Sequence, residues 1–280
     1  MIDYQRPQSL QQALAELAYG PARLLAGGTD VFPGSGPSLT GRVLDLTAIA
    51  ELRGIAHRAD GLRIGATTTW AEIAKADLPP ALRGLQQAAR QVGSAQVQNM
   101  GTIGGNLCNA SPAADGVPPL LTLDARVELV GPKGTRILAL SDFLLGPRKT
   151  ARQAEEILAA IHLPHAAMAG QSAFSKLGAR AYLVISIAMV AARIVLDGQK
   201  IATASVAVGA CSATAQRLSA VEAALLGRTT DNWAQAIAPD DIRASLSPID
   251  DIRATADYRH EAGAALVLRT LQTAIVGAQS

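Results

Sequence analysis

Two glycine-rich stretches in this sequence combine bare backbone with hydroxyl side chains. They are AGGTD, residues 26–30, and GTIGGN, residues 101–106. Each offers consecutive backbone N–H groups that no large side chain shields, together with the hydroxyl of Thr29 or Thr102. A concave row of such amides binds phosphate oxygens without a lysine or an arginine. One such stretch alone is often a plain turn, but two in one chain predict a pyrophosphate site.

Several other chemistries lack their motif in this sequence. There is no G-x-S-x-G nucleophile elbow and no G-x-x-x-x-G-K-[ST] phosphate loop. The first glycine-rich stretch does not follow the G-x-G-x-x-G spacing, and Pro33 and Pro37 stand where a Rossmann phosphate-binding helix would run. His162 and His165 have no acid or cysteine close by, so we expect structural roles for both rather than metal binding.

The composition is typical of a folded protein with a large core. Of the 280 residues, 49% are hydrophobic and 17% are charged, and the formal net charge is +2. The basic residues are scattered singly, so we expect no nucleic-acid partner. Cys108 and Cys211 are too few to hold an iron–sulfur cluster. The chain start lacks a secretory leader pattern, and the longest apolar stretch, residues 181–192, is too short for a bilayer. We therefore expect a cytoplasmic protein without a membrane span.

Periodic patterns predict the elements that position the two stretches. We expect a helix over residues 8–18 with Ser9 as its N-cap, then a short strand that breaks at residues 27–28. Thr69 and Glu72 form a predicted capping box at the start of the helix WAEIAKA. Further strands are predicted over GRVLDL and GLRIGATTT, and a further helix over PPALRGLQQAARQV.

The second half of the chain predicts two hairpins and a helical tail. A Gly-Pro-Lys-Gly turn joins two alternating strands, and an Asp197–Gly198 turn joins two more. The tail is helical over RLSAVEAALLG and TADYRHEAGAALVLRTLQTAIVGA. We predict a first domain over residues 1–168, with subdomains at about 1–56 and 57–168, and a second domain over residues 169–280.

A series of motifs resembles one known family over nearly the whole chain, in the family's order. The motifs are LLAGGTDV, IGATTTWAEI, TIGGNLCNASPAAD, FLLGPRKT with EEIL, FSKLGAR and ADYR. They resemble the FAD-binding medium subunit of the molybdenum hydroxylase family, which includes xanthine dehydrogenase and carbon monoxide dehydrogenase. The resemblance implies an α+β protein with a FAD-binding fold of the vanillyl-alcohol-oxidase or p-cresol-methylhydroxylase type. Two N-terminal α/β subdomains would be followed by a C-terminal α+β domain with an antiparallel sheet.

The same resemblance implies a set of cofactor-binding residues. Those expected at the pyrophosphate and the adjoining ribityl chain are Leu24, Leu25, Ala26, Gly27, Gly28, Thr29, Asp30, Val31, Thr102, Ile103, Gly104, Gly105 and Asn106. Gly93 would lie along the cofactor path, Asp115 would reach the flavin side, and Leu158 would pack on the isoalloxazine. Lys176 would be a cation near the pyrimidine edge, where it would stabilise the anionic reduced flavin. The alternative for Lys176 is a solvated lysine at a strand end.

The function that the resemblance implies is that of an electron-transfer subunit of an oxidoreductase. Electrons would come from two [2Fe-2S] clusters on a small subunit, while substrate is hydroxylated at a molybdenum cofactor on a large subunit. The FAD would be non-covalent, because neither glycine-rich motif contains a histidine. The assembly would be a dimer of heterotrimers, a heterohexamer. The alternatives are a stand-alone FAD oxidase of the same fold and a non-catalytic nucleotide-binding assembly protein.

Overall fold

Three hydrogen-bonded sheets and a two-stranded ribbon organise the chain in the computed structural model, which describes residues 2–34, 40–181 and 183–279. Three large clusters of buried hydrophobic residues form the core, and neighbouring sheets share residues in two of them. The α+β class predicted from the sequence is confirmed.

The first sheet is parallel. It consists of β1 (Ile2–Gln5), β2 (Arg23–Leu25) and β3 (Gly41–Asp45) in the order β1-β3-β2. Helix α1 (Leu10–Ala18) connects β1 to β2, and Ser9 Oγ accepts a hydrogen bond from Gln12 N, which confirms the predicted N-cap. Leu25 pairs with Asp45 at the carboxyl edge of this sheet. The first glycine-rich stretch therefore leaves the sheet at that edge.

A single helical turn follows the first glycine-rich stretch. It is α2 (Val31–Gly34), and it contains Pro33. Pro37 lies outside the described residues. One turn with a proline in it is too short to be the phosphate-binding helix of a Rossmann unit, in agreement with the sequence.

The second sheet is antiparallel. Its strands are β4 (Ile55–Arg58), β5 (Gly61–Gly65), β6 (Arg126–Gly131), β7 (Gly134–Ala139) and, beyond the ribbon strands β8 (Leu144–Gly146) and β9 (Lys149–Thr150), β10 (Ile157–Pro164). The order is β4-β5-β10-β6-β7. Gly131 pairs with Gly134, so the predicted Gly-Pro-Lys-Gly turn is confirmed. His162 Nε2 lies 2.5 Å from Glu128 Oε2 on this sheet.

Six α-helices come between β5 and β8 in the chain, and five of them share the core of the second sheet. The six are α3 (Trp70–Lys75), α4 (Arg83–Gln91), α5 (Ala95–Met100), α6 (Ile103–Asn109), α7 (Val117–Thr122) and α8 (Leu140–Phe143). The capping box of α3 is confirmed: Thr69 N donates to Glu72 Oε2 at 2.8 Å, and Glu72 N donates to Thr69 Oγ1 at 3.3 Å. The second glycine-rich stretch is therefore not an open loop, because most of it belongs to α6.

The C-terminal part is an antiparallel sheet backed by helices. Its strands are β11 (Gln171–Leu177), β12 (Ala188–Asp197), β13 (Lys200–Gly209) and β14 (Gln216–Arg217), and its helices are α9 (Ser219–Leu225), α10 (Pro239–Ala244) and α11 (Ala256–Gln279). Asp197 pairs with Lys200, and Gly198 takes a φ of 57°, which confirms the predicted hairpin turn. None of the helices in the described ranges has the length and apolar character needed to cross a membrane.

Hydrogen bonds join the C-terminal sheet to the helices of the first part. Arg193 Nε donates to Thr122 O at 2.9 Å, at the carboxyl end of α7. Gly84 N donates to Ser172 Oγ at 2.8 Å, so α4 is held against β11. The sheet and the helices thus form one packed unit across residue 168, and the domain boundary placed there stays a prediction.

Candidate functional site

A cavity of about 570 Å³ opens where the first sheet meets the second sheet and α6. Most of the residues expected at a pyrophosphate line it: residues 24–31, Thr102, Gly104, Gly105 and Asn106. Leu158 of β10 also lines it and is nearly fully buried. The two glycine-rich stretches, about seventy residues apart in the chain, therefore meet at one cavity of a size usual for small-ligand sites.

The first glycine-rich stretch leaves its amides free. Within the described part of the chain, the N–H groups of Gly27, Gly28 and Thr29 donate to no acceptor. A Cβ on Gly27 would lie 1.8 Å from Met100 O, so only glycine fits this close approach. Gly28 has a φ of 71°, which is the left-handed region. The row of unpaired donors predicted from the sequence is present here.

In the second glycine-rich stretch, the backbone amides already donate to acceptors within the protein. Gly104 N donates to Ala66 O at 2.8 Å, Gly105 N to Thr102 Oγ1 at 3.1 Å, and Asn106 N to Thr102 O at 3.0 Å. The expectation of a second row of unpaired amides is therefore wrong, because α6 forms and Thr102 caps it. This stretch therefore forms part of the cavity wall, but the amides of Gly104, Gly105 and Asn106 are not free to bind a ligand.

Asn106 lines the cavity, but the unpaired oxygen of its side chain is not exposed there. Its Oδ1 is buried and has no hydrogen-bond partner among the described residues. A buried acceptor without a partner costs free energy unless a ligand or a water satisfies it. The oxygen faces Gly116, where a Cβ would come within 3.0 Å of it, so a ligand in the cavity would reach it only if the Asn106 side chain turned.

Two expected site residues near the glycine-rich stretches lie outside the cavity lining. Ile103 is fully buried in the core on the opposite side of α6. Gly93 lies in the turn between α4 and α5 with a φ of 54°, and it is flanked by the lining residues Val92 and Val97. Their proposed contact with a cofactor stays a prediction.

Asp115 and Lys176 form a buried ion pair and are not among the described lining residues, so their contact with a cofactor stays a prediction. Lys176 Nζ lies 2.6 Å from Asp115 Oδ2, and both side chains are less than 10% exposed. Ser186 Oγ donates to Asp115 Oδ1 at 2.7 Å. Burial raises the pKa of the Asp115 carboxyl, although Lys176 and Ser186 both act to lower it. The alternative of a solvated strand-end lysine is wrong.

The ribbon side of the cavity holds residues that the sequence analysis did not select. Arg148, Thr150 and Arg152 line it, together with Cys108 and Asn109 at the end of α6. Burial raises the pKa of the Cys108 thiol to about 11, so the thiol is neutral at pH 7. The motif FLLGPRKT contains Arg148, but no local pattern shows that the ribbon folds over the cavity.

The comparisons with known proteins agree with this architecture. Residues 1–166 match the family described as "FAD binding domain in molybdopterin dehydrogenase". Residues 172–274 match the family described as "CO dehydrogenase flavoprotein C-terminal domain".

Individual relatives cover the chain to different extents. The xanthine dehydrogenase FAD-binding subunit of Escherichia coli O157:H7 is 38% identical over 166 residues, which are 58% of this chain and 57% of that subunit. The carbon monoxide dehydrogenase medium chain of Afipia carboxidovorans is 31% identical over 280 residues, 98% of this chain and 96% of that one.

A solved structure shares the fold over nearly its full length. The match is to carbon monoxide dehydrogenase from Hydrogenophaga pseudoflava, with a TM-score of 0.90, 31% identity, and coverage of 98% of this chain and 96% of that one. The sequence resemblance is thereby confirmed. The chain belongs to the family of FAD-binding medium subunits of the molybdenum hydroxylases.

Proposed function

We propose that this chain carries FAD in the cavity and serves as the electron-transfer subunit of a molybdenum hydroxylase. The observation that carries the proposal is the row of unpaired amides at Gly27, Gly28 and Thr29, which lines the cavity. FAD, when bound, supplies the redox chemistry: it takes electrons from [2Fe-2S] clusters of a partner subunit and gives them to an external acceptor.

The lining fits the parts of FAD that the family binds. The free N–H groups of the first stretch can donate hydrogen bonds to diphosphate oxygens, which are negatively charged acceptors. Leu158 and Val92 offer apolar surface for a ring system. Attachment would be non-covalent, since no histidine is among the described lining residues and the Cys108 thiol is kept protonated.

The remaining redox centres would lie on other subunits. Cys108 and Cys211 are both free and belong to different cores, and the described ranges hold no group of three or more metal-binding side chains. We propose a small iron–sulfur subunit and a large molybdenum subunit as partners, in a dimer of heterotrimers located in the cytoplasm. The relative from Afipia carboxidovorans, which is named a medium chain, supports an assembly of several chains.

An anaerobic reduction assay tests this function. The purified, FAD-loaded chain is mixed with candidate substrates of molybdenum hydroxylases, with and without the proposed small and large subunits. We expect flavin bleaching only when the partner subunits are present. Substrate-dependent bleaching of the isolated, metal-free chain would contradict the proposal and favour a stand-alone oxidase. A purified chain that binds no flavin would favour an assembly protein.

A further inference from the structure

Two arginines lie on the ribbon side of the cavity, and both are anchored by one end of the guanidinium group. Arg148 lies in the turn between β8 and β9, and Arg152 lies just after β9. The described lining contains three arginines and a single carboxylate, that of Asp30. The cavity wall therefore carries net positive charge, which the two glycine-rich stretches alone do not indicate.

A chain of hydrogen bonds orients Arg148 toward the first glycine-rich stretch. Its Nη1 donates to Asn109 Oδ1 and, at 3.2 Å, to Asn109 O. Asn109 Nδ2 in turn donates to Asp30 Oδ1 at 2.8 Å. Arg148 takes a φ of 59°, which is uncommon for a residue with a side chain, and its amide is held by Ala110 O at 2.9 Å. The backbone and one nitrogen thus fix the direction of the side chain.

Arg152 is anchored in the same manner by backbone carbonyls. Its Nη1 donates to Glu156 O at 2.7 Å, to Gln153 O at 2.9 Å and to Ala154 O at 3.4 Å. These three acceptors lie in the segment that leads into β10. The guanidinium is therefore held in place before any ligand arrives.

Each anchored arginine has an unused edge. The Nε and Nη2 atoms of Arg148 and of Arg152 donate to no group among the described residues. This edge of a guanidinium presents two parallel N–H bonds, which match two oxygens of one phosphate. An arginine already held by its other end loses less side-chain entropy when it binds.

We propose that Arg148 and Arg152 are diphosphate-binding residues, which contact the FAD phosphates through their Nε–Nη2 edges. This inference rests on the proposed function, because it assumes that FAD occupies the cavity. The two arginines would recognise the negative charge of the phosphates, in addition to the hydrogen bonds from the backbone amides of residues 27–29. The site would then bind FAD with an affinity that depends on ionic strength, as contacts between opposite charges do.

The test compares FAD with riboflavin, which lacks phosphate, by quenching of flavin fluorescence on the flavin-free chain. The variants are Arg148→Met, Arg152→Met and the double variant. We expect each single variant to bind FAD roughly tenfold more weakly and the double variant more weakly still, while riboflavin affinity stays within about twofold of the wild type. Added salt should weaken FAD binding in the wild type and much less in the double variant.

Arg90→Met is the matched control. Arg90 is also an exposed arginine that donates to a backbone carbonyl, Ala74 O at 2.7 Å, but it lies outside the cavity lining. It should bind FAD as the wild type does. Equal FAD affinity in the double variant and the wild type would overturn the inference, as would an equal loss for FAD and riboflavin. A wild-type chain that binds no FAD would instead contradict the proposed function.

Discussion

The two glycine-rich stretches have similar compositions and different physical uses. In the first, the amides of residues 27–29 are unpaired and line the cavity. In the second, Gly104 N donates to Ala66 O, and position 104 requires glycine because α6 passes so close to Ala66. The first stretch combines close packing at Gly27 with unpaired amides for a ligand, whereas the second is close packing that shapes the wall. The motif TIGGNLCNASPAAD continues the second stretch and ends at Asp115, which is buried against the C-terminal sheet.

The largest effect should come from breaking that buried pair. Lys176→Met leaves the Asp115 carboxylate buried without its cation, and this should lower the free energy of unfolding by about 3–5 kcal/mol. Chemical denaturation measures the change. Adding Asp115→Asn to Lys176→Met should restore part of the loss, because no buried charge remains. If Lys176→Met were as stable as the wild type, the ion pair would contribute nothing to the stability of the fold.

A substitution within the second stretch should also act on stability. A Cβ at Gly104 would lie 2.6 Å from Ala66 Cβ and 2.7 Å from Ala66 O. Gly104→Val should therefore cost about 3 kcal/mol of unfolding free energy or prevent folding, since overpacking a core forces the backbone to move. Gly105→Ala is the control, because its Cβ would meet only Thr102 Oγ1, at 2.9 Å. If Gly104→Val unfolds at the wild-type denaturant concentration, the distinction between the two stretches is wrong.

A substitution in the first stretch should act on ligand binding more than on stability. Gly28→Ala places a methyl group beside an unpaired amide at a φ of 71° and 2.3 Å from the exposed ring of Phe32, which has to move aside. The left-handed conformation should cost about 1 kcal/mol of stability, while FAD affinity should fall by roughly tenfold or more. Fluorescence titration and denaturation, run on the same sample, separate the two effects. If Gly28→Ala lost more unfolding free energy than binding free energy, Gly28 would be a packing glycine like Gly104 and not a ligand-binding one.

The smallest effect should come from the capping box beside the second stretch. Burial acts to raise the pKa of Glu72, but hydrogen bonds from Thr69 and Arg53 outweigh it and lower that pKa below 4.5. A carboxylate with a lowered pKa adds stability that is full above its unfolded pKa and is lost as the pH falls through its folded pKa. Glu72→Gln should thus cost about 0.5 kcal/mol at pH 7. The difference from the wild type should shrink as the pH drops from about 4.5 toward 3, and a difference that grew would contradict this account.

Local signals were enough to predict much of the fold. The Ser9 cap, the Thr69–Glu72 capping box and the hairpin turn at Asp197–Gly198 each depend on a few neighbouring residues, and all three are confirmed. Strand β1 was not predicted, because its four residues are all exposed and their alternation of Ile2 and Tyr4 with polar residues is too short to identify a strand. Its partner β3 lies about forty residues away in the chain and supplies the pairing.

The site required tertiary information for its remaining parts. The glycine pattern predicted the cavity wall, but it did not separate Gly105, which is exposed at the cavity, from Ile103, which is buried in the core. That difference depends on the rotation of α6. Arg148 and Arg152 reach the cavity only because the β8–β9 ribbon folds over it, a contact between segments that no local pattern encodes.

The central claim is that FAD binds with its diphosphate on the first glycine-rich stretch. A crystal structure of the FAD-loaded chain tests it most directly. We expect phosphate oxygens within hydrogen-bond distance of the amides of Gly27, Gly28 and Thr29, with the diphosphate in the cavity that Asn106 and Leu158 also line. A diphosphate bound elsewhere, with those three amides still unpaired or facing solvent, would contradict the account.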